Sequence, residues 1–151
     1  MKTILITLGL LLLIATAAAG VPTCLDKKNK LSIDNHMAIN LRDFREHGFK
    51  TRALIDGLLM ITMENHQGHT HLEIDLDQDF QTADDRLEVI FNNNYGELPQ
   101  LKAGDHIIAC GDFIVDAHSP HKAVIHWLHK SPNIKKHDDG YLSINGIVFG
   151  K

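Results

Sequence analysis

The chain has few of the residues that usually announce a chemistry: two cysteines, one tryptophan and two tyrosines in 151 residues. No C-x-x-C pair occurs, so neither a dithiol redox centre nor a cysteine zinc site has support. G-x-S-x-G, H-E-x-x-H and glycine-rich phosphate loops are also missing, which removes the commonest hydrolase and nucleotide-binding signatures. Positive charge is not in excess. The formal net charge is -4, and setting Lys2 aside with residues 1–19 leaves 14 basic against 19 acidic residues, a net of -5. Such a chain repels phosphate at neutral pH, so nucleic acid is a poor partner. No internal repeat or low-complexity tract appears, and the length leaves no room for a second domain of ordinary size.

Long apolar runs are limited to one, Ile4 to Ile14, and at roughly eleven residues it is too short to span a bilayer, which takes about 20. Lys2 precedes it, and Ala15-Thr16-Ala17 and Ala17-Ala18-Ala19 follow with the small residues a signal peptidase needs. The expectation is a signal peptide over 1–19 and a single mature domain over 20–151, secreted or periplasmic, with no transmembrane segment. Val21-Pro22-Thr23 lacks the pattern expected before a lipidated cysteine. In an oxidising compartment Cys24 and Cys110 would form one bridge pinning the mature N-terminus to the domain; two separate buried thiols are the alternative.

From Ser32 to His47 the apolar residues Ile33, Met37, Leu41 and Phe44 recur at helical spacing, which predicts one amphipathic helix over 32–47. Ser32 or Asp34 would cap it, Gly48 would end it, and Asn35, Arg42, Asp43 and Glu46 would face water. After Gly48 the period shortens. Strands are expected at Ala53 to Met63, Thr70 to Leu76, Leu87 to Phe91, His106 to Val115, Ala123 to Leu128 and Tyr141 to Phe149, separated by turns rich in Asn, Asp and Gly. In the strand from Thr70, Leu72, Ile74 and Leu76 alternate with His71, Glu73, Asp75 and Asp77, which predicts one wet face. The fold expected over 51–149 is a mainly β, small OB-type antiparallel barrel of five to six strands, with Gly57 and Gly111 at its bends. A β-sandwich is the alternative.

Several of these residues belong to a recognisable pattern: Gly68-His69-Thr70-His71, Phe91-Asn92, Leu98-Pro99, Gly104-Asp105, Gly111-Asp112-Phe113, Ile125-His126-Trp127-Leu128-His129, Pro132, His137, Gly140-Tyr141-Leu142 and Asn145-Gly146. Over roughly Gly57 to Phe149 the chain resembles a domain-of-unknown-function family of small exported bacterial proteins. Where that family's pattern has His, this chain has Phe91, and where it has Gln-Arg-Phe after the histidine matching His71, this chain has Leu72-Glu73-Ile74. The resemblance implies export and brings no activity with it.

Eleven histidines all follow residue 35. Neutral imidazole is both a ligand for divalent transition metals and a proton carrier. His69 and His71 leave the same face of a strand, as two metal ligands would. His126 and His129 leave opposite faces unless the strand ends between them. A metal set would draw on His69, His71, His126 and His129, with His137, Asp75 or Glu73 as further donors. Trp127 is either a stacking platform or a core side chain; alternation puts it inward with Ala123 and Ile125, and His126 outward. Asp75-Leu76-Asp77-Gln78-Asp79 spaces its acids as a calcium loop does but lacks that loop's glycine and distal glutamate, and it reads as a solvated turn.

Two functions follow. The first is a secreted binding module that presents His71, His126, Trp127, His129 and His137 to an extracellular or host ligand: a peptide, a glycan or a protein surface. The alternative is a histidine-based metal-dependent hydrolase such as a phosphodiesterase. Acid adds a further partner, because eleven histidines charging by about pH 5 would carry the mature chain from a net of -5 towards roughly +6 and favour anionic surfaces.

Overall fold

A computed structural model describes residues 20–63, 65–133 and 137–151; the expected signal peptide lies outside them. The fold is mainly β. A short hairpin, β1 (Leu25–Asp26) and β2 (Asn29–Lys30), leads into one helix, α1 (Asn35–Phe44). Seven strands follow: β3 (Lys50–Thr62), β4 (His69–Asp75), β5 (Arg86–Asn92), β6 (His106–Val115), β7 (Ala123–His126), β8 (Tyr141–Ile144) and β9 (Ile147–Phe149).

The sheet runs β3-β4-β5-β7-β6-β8-β9, and β3 also pairs with β6, so five strands close into a barrel. All barrel pairings are antiparallel except β5 with β7, which is parallel through Glu88 opposite Val124 and Val89 opposite Ile125. Closure follows from the length of β3. Its first nine residues, Lys50 to Leu58, pair with β6, and Leu58 to Thr62 pair with β4. The strand bends at Gly57, where a Cβ would run into the Asp75 carbonyl oxygen, and at Gly111 of β6 a Cβ would run into that of His126. Inside, Ile55, Leu59, Leu72, Ile74, Leu87, Val89, Phe91, Ile107, Phe113, Ile125 and Leu142 form one core of fully buried side chains.

Three expectations need correction. Tyr141 to Phe149 is a hairpin, turned at Asn145 and Gly146, both with positive φ. The helix is capped by Asp34, whose carboxylate accepts from the Met37 amide at 2.7 Å, and Met37 and Leu41 of the expected face pack against the core, but Ile33 and Phe44 do not. Phe44 is 82% exposed and Ile33 48%, while Ala38 is buried and Asn35 and Arg42 turn inward. The reason is that α1 lies against backbone whose carbonyls need donors: Asn35 donates to Asp56 O and Leu76 O, and Arg42 to Arg86 O and Asp84 O. Finally, the outer face of β4 is covered, not wet. The loop between β6 and β7 folds over it, leaving Glu73 8% and Asp75 0% exposed.

Candidate functional site

β7 and β8 share one edge of β6. His126, the last residue of β7, pairs with Asp112, and Tyr141, the first of β8, pairs with Cys110. Between them the chain leaves the sheet, and this excursion begins at Trp127, whose φ of +58° is a left-handed conformation costly for a bulky residue. Strand alternation therefore ends at His126. Leu128 takes the core position, 1% exposed, and Trp127 stays only partly buried on the outside, which overturns its expected place in the core.

The same break brings His126 and His129 to one side. His69 meets His126 with ring centroids 5.5 Å apart, and His126 stacks on Trp127 at 4.6 Å. Trp127 stacks on His137 at 5.2 Å, His137 meets His129 edge-on at 5.1 Å, and His129 stacks on Tyr95 at 3.6 Å. Six rings form one continuous row. Tyr95 was missed in the sequence because it sits in the turn after β5, where no periodicity marks a side chain's direction. His71, on the same face of β4, is drawn aside and bonds Glu88 through Nδ1 at 2.5 Å.

Two imidazoles of this row, His126 and His129, are lowered from the ordinary histidine value, and three are oriented by main-chain carbonyls. Burial, followed by the neighbouring His69, His129 and His71, pushes His126 down to about 4. Burial also lowers His129, which is 3% exposed, and His137 adds to the effect. His69, His129 and His137 each place Nδ1 on a main-chain carbonyl, that of Gln67 at 3.1 Å, Lys130 at 2.9 Å and Asp138 at 2.9 Å. A neutral imidazole donating from Nδ1 keeps its lone pair on Nε2, so the row combines flat faces with acceptor nitrogens.

Beneath the row, Arg52 fastens the excursion to the barrel. Only 8% exposed, it bonds Asp112 Oδ1 at 3.0 Å, Asp139 O at 2.8 Å and Leu25 O at 3.2 Å. Lys50 Nζ completes the pairing of Asp112 at 2.6 Å. The Cys24–Cys110 disulfide lies beside it, with Cα atoms 5.7 Å apart. Arg52 carried no sequence signal, since a basic residue in a strand reads as solvent-facing. A groove of about 500 Å³, lined by residues including Leu25, Lys130, Asp138 and Tyr141, continues from the excursion.

A second buried polar group lies under the loop between β6 and β7. Glu73 and Glu88 are direct cross-strand partners, a repulsive arrangement unless each is compensated. Glu88 accepts from Ser119 Oγ at 2.6 Å besides contacting His71, and Glu73 accepts from Arg86 at 2.8 Å with His121 Nε2 at 3.3 Å.

Compared with protein-family models, curated proteins and solved structures, the chain matches none. Its function therefore has to be argued from the site itself. Among the described residues, three metal-donor atoms come within 4.8 Å of one another at two places, His47/Asp116/His118 and Asp75/Asp77/Asp85, and neither lies in the ring row. Of the expected metal set, His69, His126 and His129 lie in the ring row, while His71 is paired with Glu88. No helix among the described residues is long and apolar enough to cross a membrane.

Proposed function

We propose that this protein is a secreted binding module whose ring row, Tyr95, His129, His137, Trp127, His126 and His69, receives an extracellular ligand. The strand order, with β3 closing on β6 and β5 parallel to β7, supports an OB-type barrel. Barrels of that type receive extended ligands across a sheet face and its flanking loops, and here that region carries the row. The disulfide suits export to an oxidising compartment.

The observation that carries the reading is Trp127. A tryptophan held with positive φ, outside the core and stacked between the imidazoles of His126 and His137, stores backbone strain for which the core offers no return. Flat faces with Nε2 acceptors suit a sugar face with its hydroxyls or a peptide carrying planar and donor groups. Because Trp127 is the only tryptophan in the sequence, its fluorescence reports this site alone. Titration with oligosaccharides and with peptides should change that emission saturably for one class and leave a Tyr95→Ala, His137→Ala variant unresponsive. A signal indifferent to every member of both sets, or equal in that variant, sinks the proposal.

The metal-dependent hydrolase is the second reading. It is favoured by the three Nδ1-to-carbonyl bonds, the arrangement that metal-ligating histidines use to aim Nε2. Elemental analysis of untagged protein separates the two, since stoichiometric zinc, manganese or copper belongs to the hydrolase alone.

A further inference from the structure

At the end of β4 the chain buries a carboxylate that nothing in the fold compensates. Asp75 is 0% exposed, and neither Oδ1 nor Oδ2 has a hydrogen-bond partner. Oδ1 of the neighbouring Asp85 is likewise buried without a partner, while its Oδ2 accepts from the amides of Leu76, at 2.9 Å, and Asp77. One ligand atom from each of Asp75, Asp77 and Asp85 falls within 4.8 Å of the others. The facing cation is Arg86, whose Nε is itself buried without a hydrogen-bond partner. Its Nε stands 3.9 Å from Asp75 Oδ2, beyond hydrogen-bond reach, while its terminal nitrogens hold Glu73, Phe80 O and Thr82 O.

Leaving three buried carboxylate oxygens without donors costs several kcal/mol, and two adjacent acids add their repulsion. We propose that Asp75, Asp77 and Asp85 bind Ca²⁺, with Asp75 as the buried ligand, Asp85 as the second and the exposed Asp77 closing the site from solvent. The donor set is all oxygen and holds no imidazole or thiolate, which selects a hard cation over zinc or copper. Calcium rather than magnesium follows from Asp75. Neither of its oxygens has a hydrogen-bond partner, which leaves both for the two-oxygen contact that calcium accepts and that magnesium's strict octahedron disfavours. All three acids belong to the stretch from the end of β4 to the residue before β5, but they lack the glycine and the distal glutamate of the twelve-residue calcium loop.

The test uses the full chain after EDTA treatment. Thermal unfolding should shift upward with CaCl₂, less with MgCl₂ at the same concentration, and not with NaCl of matched ionic strength. Calorimetric titration should give one Ca²⁺ per chain, and Asp77→Asn should weaken it by at least about tenfold. Asp75→Asn should unfold at the same or a higher temperature than the parent in EDTA, because it removes an uncompensated charge, yet lose the calcium response. No calcium shift in the parent, an equal shift with magnesium, or an undiminished response in both variants would overturn the assignment.

Discussion

Tyr95 and His129 lie face to face, centroids 3.6 Å apart and planes 5° from parallel, joining the turn after β5 to the excursion between β7 and β8. The stack covers His129 and ends the ring row. Tyr95→Ala should therefore rehydrate His129 and raise its pKa back towards the ordinary histidine value. Histidine proton NMR across a pH titration measures this, and an unmoved His129 resonance would mean that Tyr95 does not supply the burial.

His126 carries a pH dependence whose sign is fixed. Its folded value, about 4, lies below the unfolded value of 6.5, so the unfolded chain binds the extra proton first. The stabilisation from a neutral His126 is complete above about pH 6.5 and is lost as pH falls towards 4. Discounted for partial exposure, the loss should be on the order of 2 kcal/mol. His126→Gln should flatten that part of the urea stability profile, and an equal slope in both proteins would refute the assignment.

Trp127 and Phe113 should respond differently to truncation. Phe113 is fully buried, so Phe113→Ala should cost about 3 to 5 kcal/mol by leaving a cavity. Trp127 packs on two rings outside the core, and Trp127→Ala should cost about 1 to 2 kcal/mol, part of it offset by relief of its positive φ. Chemical denaturation of the two variants side by side decides it.

The disulfide closes a loop with a sequence separation of 86, for which chain entropy alone gives about 4 kcal/mol. A Cys24→Ser, Cys110→Ser double variant should lower the denaturation midpoint accordingly. An unchanged midpoint would show that Arg52 and the hairpin hold the N-terminal segment without it.

At about pH 5 the protein should adhere to anionic surfaces and at pH 7.5 it should not. His126, held near 4, and His129, lowered by burial, gain less charge at that pH than unperturbed histidines would, so residues 20–151 stay below the roughly +6 expected from all eleven. Heparin or anionic-vesicle retention at the two pH values, repeated at high salt, measures this. Retention equal at both, or insensitive to salt, would exclude histidine charging as the cause.

The strands were legible because period-two patterning marks them directly, and His106–Val115 matches the expected span end to end. Trp127 was misplaced for a physical reason: alternation holds only while φ stays extended, and nothing in Ile125-His126-Trp127 announces a left-handed residue. The convergence of His69, His126, His129 and His137 depends on β5 and β7 pairing in parallel and on that one break, both settled by tertiary packing. The helix face was misread because hydrophobicity cannot show that bare carbonyls await Asn35 and Arg42. The Asp75 cluster was hidden because Asp85 comes back to Asp75 only at the far end of the loop between β4 and β5, and periodicity does not show a loop's path.

The double pairing of β3 also sets how this chain folds. Local hairpins such as β4 with β5 and β8 with β9 pair residues close in sequence, but the barrel shuts only when Lys50 finds Ile114. That contact, and the parallel joining of β5 to β7, carry a large loop-closure cost before any core is sealed, which places the chain among slow, high-contact-order folders. Until closure, β3 and β6 present long unpaired edges lined with Leu, Ile and Ala, so a newly made chain is most prone to aggregate in that interval. The Cys24–Cys110 bridge ties the segment ahead of the helix to β6, so it shortens the free chain on one side of that closure.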